Sequence, residues 1–166
     1  MSTTDQLLGD AQRTVELDGT SHANCVYLND LTFTLPRDNY TNPQFATTHD
    51  ELFDADLSAV IEDYTFPERW KNLVVRNHDE HFDPPRVLSI QFIESTQGRM
   101  DLTVNMAHCD LYGELPDDVV AANLTLFRFC VEAGCNPGNL TFNIGVAYTL
   151  YTDMEFVDEG IVDWGD

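Results

Sequence analysis

From residue 140 to residue 150 the chain alternates without a break: Leu140, Phe142, Ile144, Val146, Tyr148 and Leu150 are apolar, with Thr141, Asn143 and Thr149 among the residues between them. A period of two defines a β-strand with one buried face. A helix pattern stands just upstream. Pro116 suits a first helical turn, Asp117 and Asp118 suit the positive end of the helix dipole, and Val119, Val120, Asn123, Leu124, Phe127, Cys130 and Val131 continue the pattern. Gly134 ends it, and Asn136-Pro137-Gly138 is expected to form the turn into the strand.

Upstream of that helix, 87–94 and 100–110 form a predicted hairpin around Ser95-Thr96-Gln97-Gly98. Asn24–Leu35 is rich in β-formers and reads as a strand, as do Leu73–Arg76 and Thr14–Leu17, while residues 1–13 are polar and expected to be loose. Thr48-His49-Asp50-Glu51 has the form of a capping box opening a helix with Leu52, Phe53, Leu57, Val60, Ile61 and Tyr64 on one face. The tail 153–166 is acidic, and its Phe156 and Trp164 call for docking on this chain or a partner. The expected fold is one α+β domain with a mixed sheet packed against helices. Ile90, Phe92, Leu102, Val104, Phe142, Ile144 and Val146 are expected to face the helix.

The formal net charge is −21, from 29 acidic residues against 8 Lys plus Arg, and Lys71 is the only lysine. The hydrophobic fraction of 43% is that of a folded protein, so the acidity belongs on a surface. Solvation in high salt, where self-repulsion is screened, accounts for such a surface; a basic partner is the competing reading. Nucleic-acid binding is disfavoured because no basic stripe is present. Met1–Arg13 lacks the apolar core of a signal peptide and no stretch is long enough to span a bilayer, so no membrane association is expected. A cytoplasmic protein, or one packaged in a virion assembled there, follows. Cys25, Cys109, Cys130 and Cys135 form no CxxC pair and read as reduced thiols.

Pro84-Pro85-Arg86-Val87, the Gln91-Phe92 pair, Asp110, Leu115-Pro116 and Gly138 are spaced over a strand–helix–strand unit. In this spacing the chain resembles the thymidylate synthase and pyrimidine-nucleotide hydroxymethylase family across roughly residues 84–153. The resemblance implies a thymidylate synthase-like sheet, with a nucleophilic Cys followed by His after Pro-Pro. Here those places hold Arg86 and Val87. A thiolate is needed to add to the pyrimidine ring, and a guanidinium cannot replace it. The family's Gln-Arg-Ser ahead of the Asp reads Met106-Ala107-His108, so the phosphate-gripping Arg is replaced by Ala107. The late His and Tyr of the family fall on Tyr148 and Leu150. Asp110 is kept. Asp118 takes the place of the base-reading Asn, as in the cytosine-specific hydroxymethylase branch, and is equally explained as a helix N-terminal acid.

The resemblance therefore implies a catalytically degenerate domain acting as a binding or structural subunit, without a cofactor. The alternative is a divergent deoxycytidylate-type hydroxymethylase acting with a partner subunit. The candidate ligand-binding residues are Arg86, His108, Asp110, Asp118 and Tyr148. On a regular strand His108 and Asp110 share a face and Cys109 points away. His78-Asp79-Glu80-His81 lacks metal-site spacing and is read as an acidic loop. Self-association, or incorporation in a protein assembly, through the mixed second face of the sheet is expected, with a nucleotide as the possible ligand.

Overall fold

The computed structural model describes residues 3–37, 72–76, 86–95 and 98–154. The helix expected after Thr48-His49-Asp50-Glu51, the loop expected at His78–His81 and the aromatic tail residues Phe156 and Trp164 lie outside the described residues. The described elements are α1 (Thr3–Asp18), β1 (Thr20–His22), β2 (Cys25–Leu35), β3 (Asn72–Arg76), β4 (Val87–Ser95), β5 (Arg99–Asp110), α2 (Leu115–Ala133), β6 (Asn136–Leu150) and a short α3 (Tyr151–Met154). Together they make an α+β fold.

Six strands form one sheet in the order β1-β2-β6-β5-β4-β3. Every pairing is antiparallel except β5 with β6. A parallel neighbour needs a crossover, and α2 supplies it. The expected β4–β5 hairpin forms, and the predicted helix spans 115–133.

Helix α1 replaces the loose start and the Thr14–Leu17 strand. The β-branched pair Thr14-Val15 favours a strand locally, yet Leu7, Ala11 and Val15 recur every four residues and pack on the core. Tertiary burial overrides the local preference, and Val15 is completely buried.

Asn136-Pro137-Gly138 is not a turn. β6 begins at Asn136, with Asn136 and Pro137 in register with Arg99 and Met100. The reversal is made earlier, by Gly134 in the left-handed conformation at φ 69°.

One core lies between the sheet and α1 and α2. Phe92 stacks on Phe129 of α2 at 4.2 Å between centroids, and Phe33 stacks on Phe142 within the sheet at 5.2 Å. The buried face of α2 keeps the predicted Val119, Asn123 and Cys130 and adds Leu115, Asp118, Ala122, Leu126 and Phe129, whereas Val131 is exposed.

The sheet departs from simple alternation along a line crossing four strands. In β5 the buried residues are Met100, Leu102, Val104 and Met106, then Cys109; in β6 they are Leu140, Phe142 and Ile144, then Ala147 and Thr149. In β2 they are Leu35 and Leu31, then Val26, and in β4 Phe92 and Ile90, then Val87. Each strand changes phase by one residue at neighbouring positions. The irregularities are a register shift between Val87 and Ser89, the left-handed Asp30 at φ 58°, and Gly145, where a Cβ would lie 2.8 Å from the Ala107 carbonyl oxygen. Because all four strands shift together, the core stays on one face. Val146, expected in the core, is 37% exposed for this reason, and Thr149 is buried.

The other face carries a polar row. Asn105 Nδ2 donates to Ser89 Oγ at 3.0 Å, Asn143 Nδ2 to Asn105 Oδ1 at 2.9 Å, and Thr32 Oγ1 to Asn143 Oδ1 at 3.0 Å. Cross-strand pairing in direct register makes this ladder continuous over four strands. Among the described residues, no helix is long and apolar enough to cross a membrane.

Candidate functional site

The phase change delivers polar side chains to the N-terminal end of α2. β5 ends at Asp110, whose carboxylate Oδ1 accepts the backbone N–H groups of Tyr112 at 3.0 Å and Gly113 at 3.2 Å. This is the Asx turn that short acidic side chains favour. A Cβ on Gly113 would sit 2.8 Å from the other Asp110 oxygen, so a larger residue there would displace the carboxylate that holds the turn. Glu114, at the N-cap, answers reciprocally: its N–H donates to the Asp110 carbonyl and its carboxylate accepts the Asp110 N–H, each at 3.0 Å. Leu111 N–H donates to the Tyr148 carbonyl at 3.0 Å, fixing the turn to β6.

Asp118 lies in the first turn of α2, and its side chain is only 6% exposed. A buried carboxylate needs a cationic partner. Arg86 provides it from just ahead of β4: Arg86 Nη1 bonds Asp118 Oδ2, and Arg86 Nε lies 3.7 Å from Glu114 Oε1. The Arg86 carbonyl accepts the Ala107 N–H at 2.8 Å, so its backbone is held by β5. Cys109 completes the group, its Sγ 3.7 Å from Asp118 Oδ2.

The electrostatics define a closed site. Burial works against the charge of Arg86, but the Asp118 and Glu114 carboxylates outweigh it and raise its pKa further. Burial pushes the Asp118 carboxyl up, against the pull of Arg86. Burial also drives the Cys109 thiol well above its ordinary value, and the Asp118 charge adds to this. Cys109 is therefore a protonated thiol and a poor nucleophile. The Tyr148 phenol is raised by burial and then by Glu114 and Asp110.

Of the five sequence-derived candidates, Arg86 and Asp118 meet directly. Tyr148 borders them, in register with Asp110, whose own carboxylate is committed to the turn. His108 pairs in register with Val146 and shares no hydrogen bond with Asp110. Cys109 does not point away from the site, because the strand is irregular at this point. Sequence reasoning missed Cys109 and Glu114. The four-residue step from Asp110 to Glu114, closing one turn, was the available signal for Glu114. Among the described residues no cluster of three or more His, Cys, Asp or Glu could hold a metal ion. No protein-family model and none of the curated proteins matches the chain.

Proposed function

We propose that the chain is a thymidylate synthase-like domain without covalent catalysis, serving as a binding or structural subunit of a protein assembly in a high-salt setting. One observation supports this reading: Arg86, which the resemblance sets where the family has its nucleophile, has its guanidinium engaged by Asp118 and Glu114. An arginine stays protonated and cannot attack a pyrimidine ring. The neighbouring thiol, Cys109, is buried and held protonated, so it offers no substitute. The net charge of −21 supports the high-salt setting, since screening relieves self-repulsion. The flat polar ladder on the second sheet face supports association through that face.

Incubation in molar salt with deoxyuridylate and methylenetetrahydrofolate should yield no thymidylate above background, and light scattering of the same solution should give more than one chain per particle. Robust turnover overturns the non-catalytic reading; a single-chain mass, with no partner recovered from the source, overturns the assembly reading. The melting temperature should rise from dilute buffer to molar salt, and a flat or falling trend would return the acidity to a basic partner.

The deoxycytidylate-type hydroxymethylase reading keeps one specific support: Asp118, a buried carboxyl with a raised pKa, stands where the resemblance puts base recognition. Calorimetry separates the two, since that reading requires deoxycytidylate to bind more tightly than deoxyuridylate and Asp118→Asn to reverse the preference.

A further inference from the structure

The opposite end of α2 holds two of the four cysteines. Gly134, left-handed at φ 69° and ψ 30°, folds the chain back so that the Cys135 N–H donates to the Cys130 carbonyl at 3.0 Å. This is the Schellman arrangement, which brings the side chains of the bonded residues into contact. Here both are thiols, and the Cys130 thiol hydrogen-bonds to Cys135. Cys130 is 2% exposed, whereas Cys135 is half-buried. Cys130 and Cys135 both border a cleft of about 580 Å³ that Arg37, Arg99, Phe127 and Pro137 also line. In a chain of net charge −21, two of the seven arginines border this one cleft.

We propose that Cys130 and Cys135 form a reversible dithiol–disulfide pair, oxidised by exchange with an anionic low-molecular-weight disulfide that docks in this cleft. The two positions divide the work. Cys135 is the more exposed of the two and attacks first. Its thiol proton goes to water, its sulfur bonds one sulfur of the small disulfide, the S–S bond of that molecule breaks and one small thiolate leaves. Cys130 then loses its proton and attacks the Cys135 sulfur, and the second small thiol departs. The protein pair loses two electrons and two protons, and the small disulfide becomes two thiols. Exposed Arg99 supplies the positive charge that draws carboxylates of the oxidant into an otherwise repelling surface. Cys130 borders the same cleft but is far less exposed than Cys135, so it acts as the resolving thiol.

The test is made on the full reduced chain in its native buffer, with oxidised glutathione as the anionic probe and hydroxyethyl disulfide as the neutral one. Peptide mapping should find a Cys130–Cys135 bond, with Cys25 and Cys109 still reduced. Cys130→Ser should trap a mixed disulfide on Cys135. Cys135→Ser, a change at a less buried position, should leave Cys130 without adduct in the folded chain. Arg99→Ala, an exposed change, should slow exchange with oxidised glutathione about tenfold while leaving the neutral probe unchanged. Adduct formation at Cys25 as fast as at Cys135, or no bond between Cys130 and Cys135, overturns the thiol pair. Equal effects of Arg99→Ala on both probes overturn the docking of an anion in the cleft.

Discussion

The two ends of helix α2 treat arginine in opposite ways. At the N-terminal end Arg86 is bound to Asp118 and flanked by Glu114 and Cys109, so its charge is spent inside the chain. At the C-terminal end Arg37 and Arg99 border a cleft beside two thiols. The same chemistry closes one site and lines the other. Burial makes the difference: Asp118 is buried and requires a counter-charge, whereas the Cys130–Cys135 contact is satisfied by two nearly apolar groups. A likeness in sequence spacing points to the first end, while the half-buried Cys135 lies at the second.

The largest way to break this contrast is Arg86→Met. It leaves the Asp118 carboxylate buried without its cation and should lower the unfolding free energy by about 2–4 kcal/mol, below the cost at a fully buried pair because Arg86 is itself 32% exposed. Arg99→Ala at the other end should change stability by no more than about 0.5 kcal/mol. Chemical denaturation of the two variants side by side checks both, and equal losses would erase the distinction between the ends.

Next in size is Gly145→Ala, which tests the irregular line on which the N-terminal cluster rests. The added Cβ meets the Ala107 carbonyl oxygen at 2.8 Å, backbone that can yield only by moving β5. A loss of about 1–3 kcal/mol is expected. An unchanged denaturation midpoint would mean that the close approach of β5 and β6 does not hold the phase change.

Gly134→Ala probes the C-terminal end more gently. The added methyl has open space, but the backbone is left-handed at φ 69°. The cost should be about 1 kcal/mol. In the redox experiment the same substitution should slow closure of the Cys130–Cys135 bond, because the fold-back that apposes the two sulfurs becomes less favourable. A faster closure would contradict the role given to this turn.

Much of the sheet was legible in the sequence because its signals are local. The 140–150 alternation, the β-formers of Asn24–Leu35 and the Pro116 start of α2 each report on their own segment. What was hidden depends on distant partners. Helix α1 was obscured by Thr14-Val15, whose β-branched preference yields to burial against β2 and β6. The phase change needs four strands in register before it has meaning, so Val146 and Cys109 were placed on the wrong sides. Asp118 was recognisable as a first-turn acid, but its partner lies 32 residues upstream. The thiol pair was missed because four residues separate the cysteines, and the left-handed Gly134 folds Cys135 back toward Cys130.

In the proposed reading Arg86 is a committed ion-pair partner of Asp118, at the position where the sequence resemblance sets a nucleophile. A double-mutant cycle with Arg86→Met, Asp118→Leu and both together measures this coupling directly in the unfolding free energy. The account predicts a favourable coupling of about 2 kcal/mol or more, with the double variant close to wild-type stability because the buried charge is gone. Additive effects of the two substitutions, with no coupling, would contradict it and leave Arg86 free to serve a ligand.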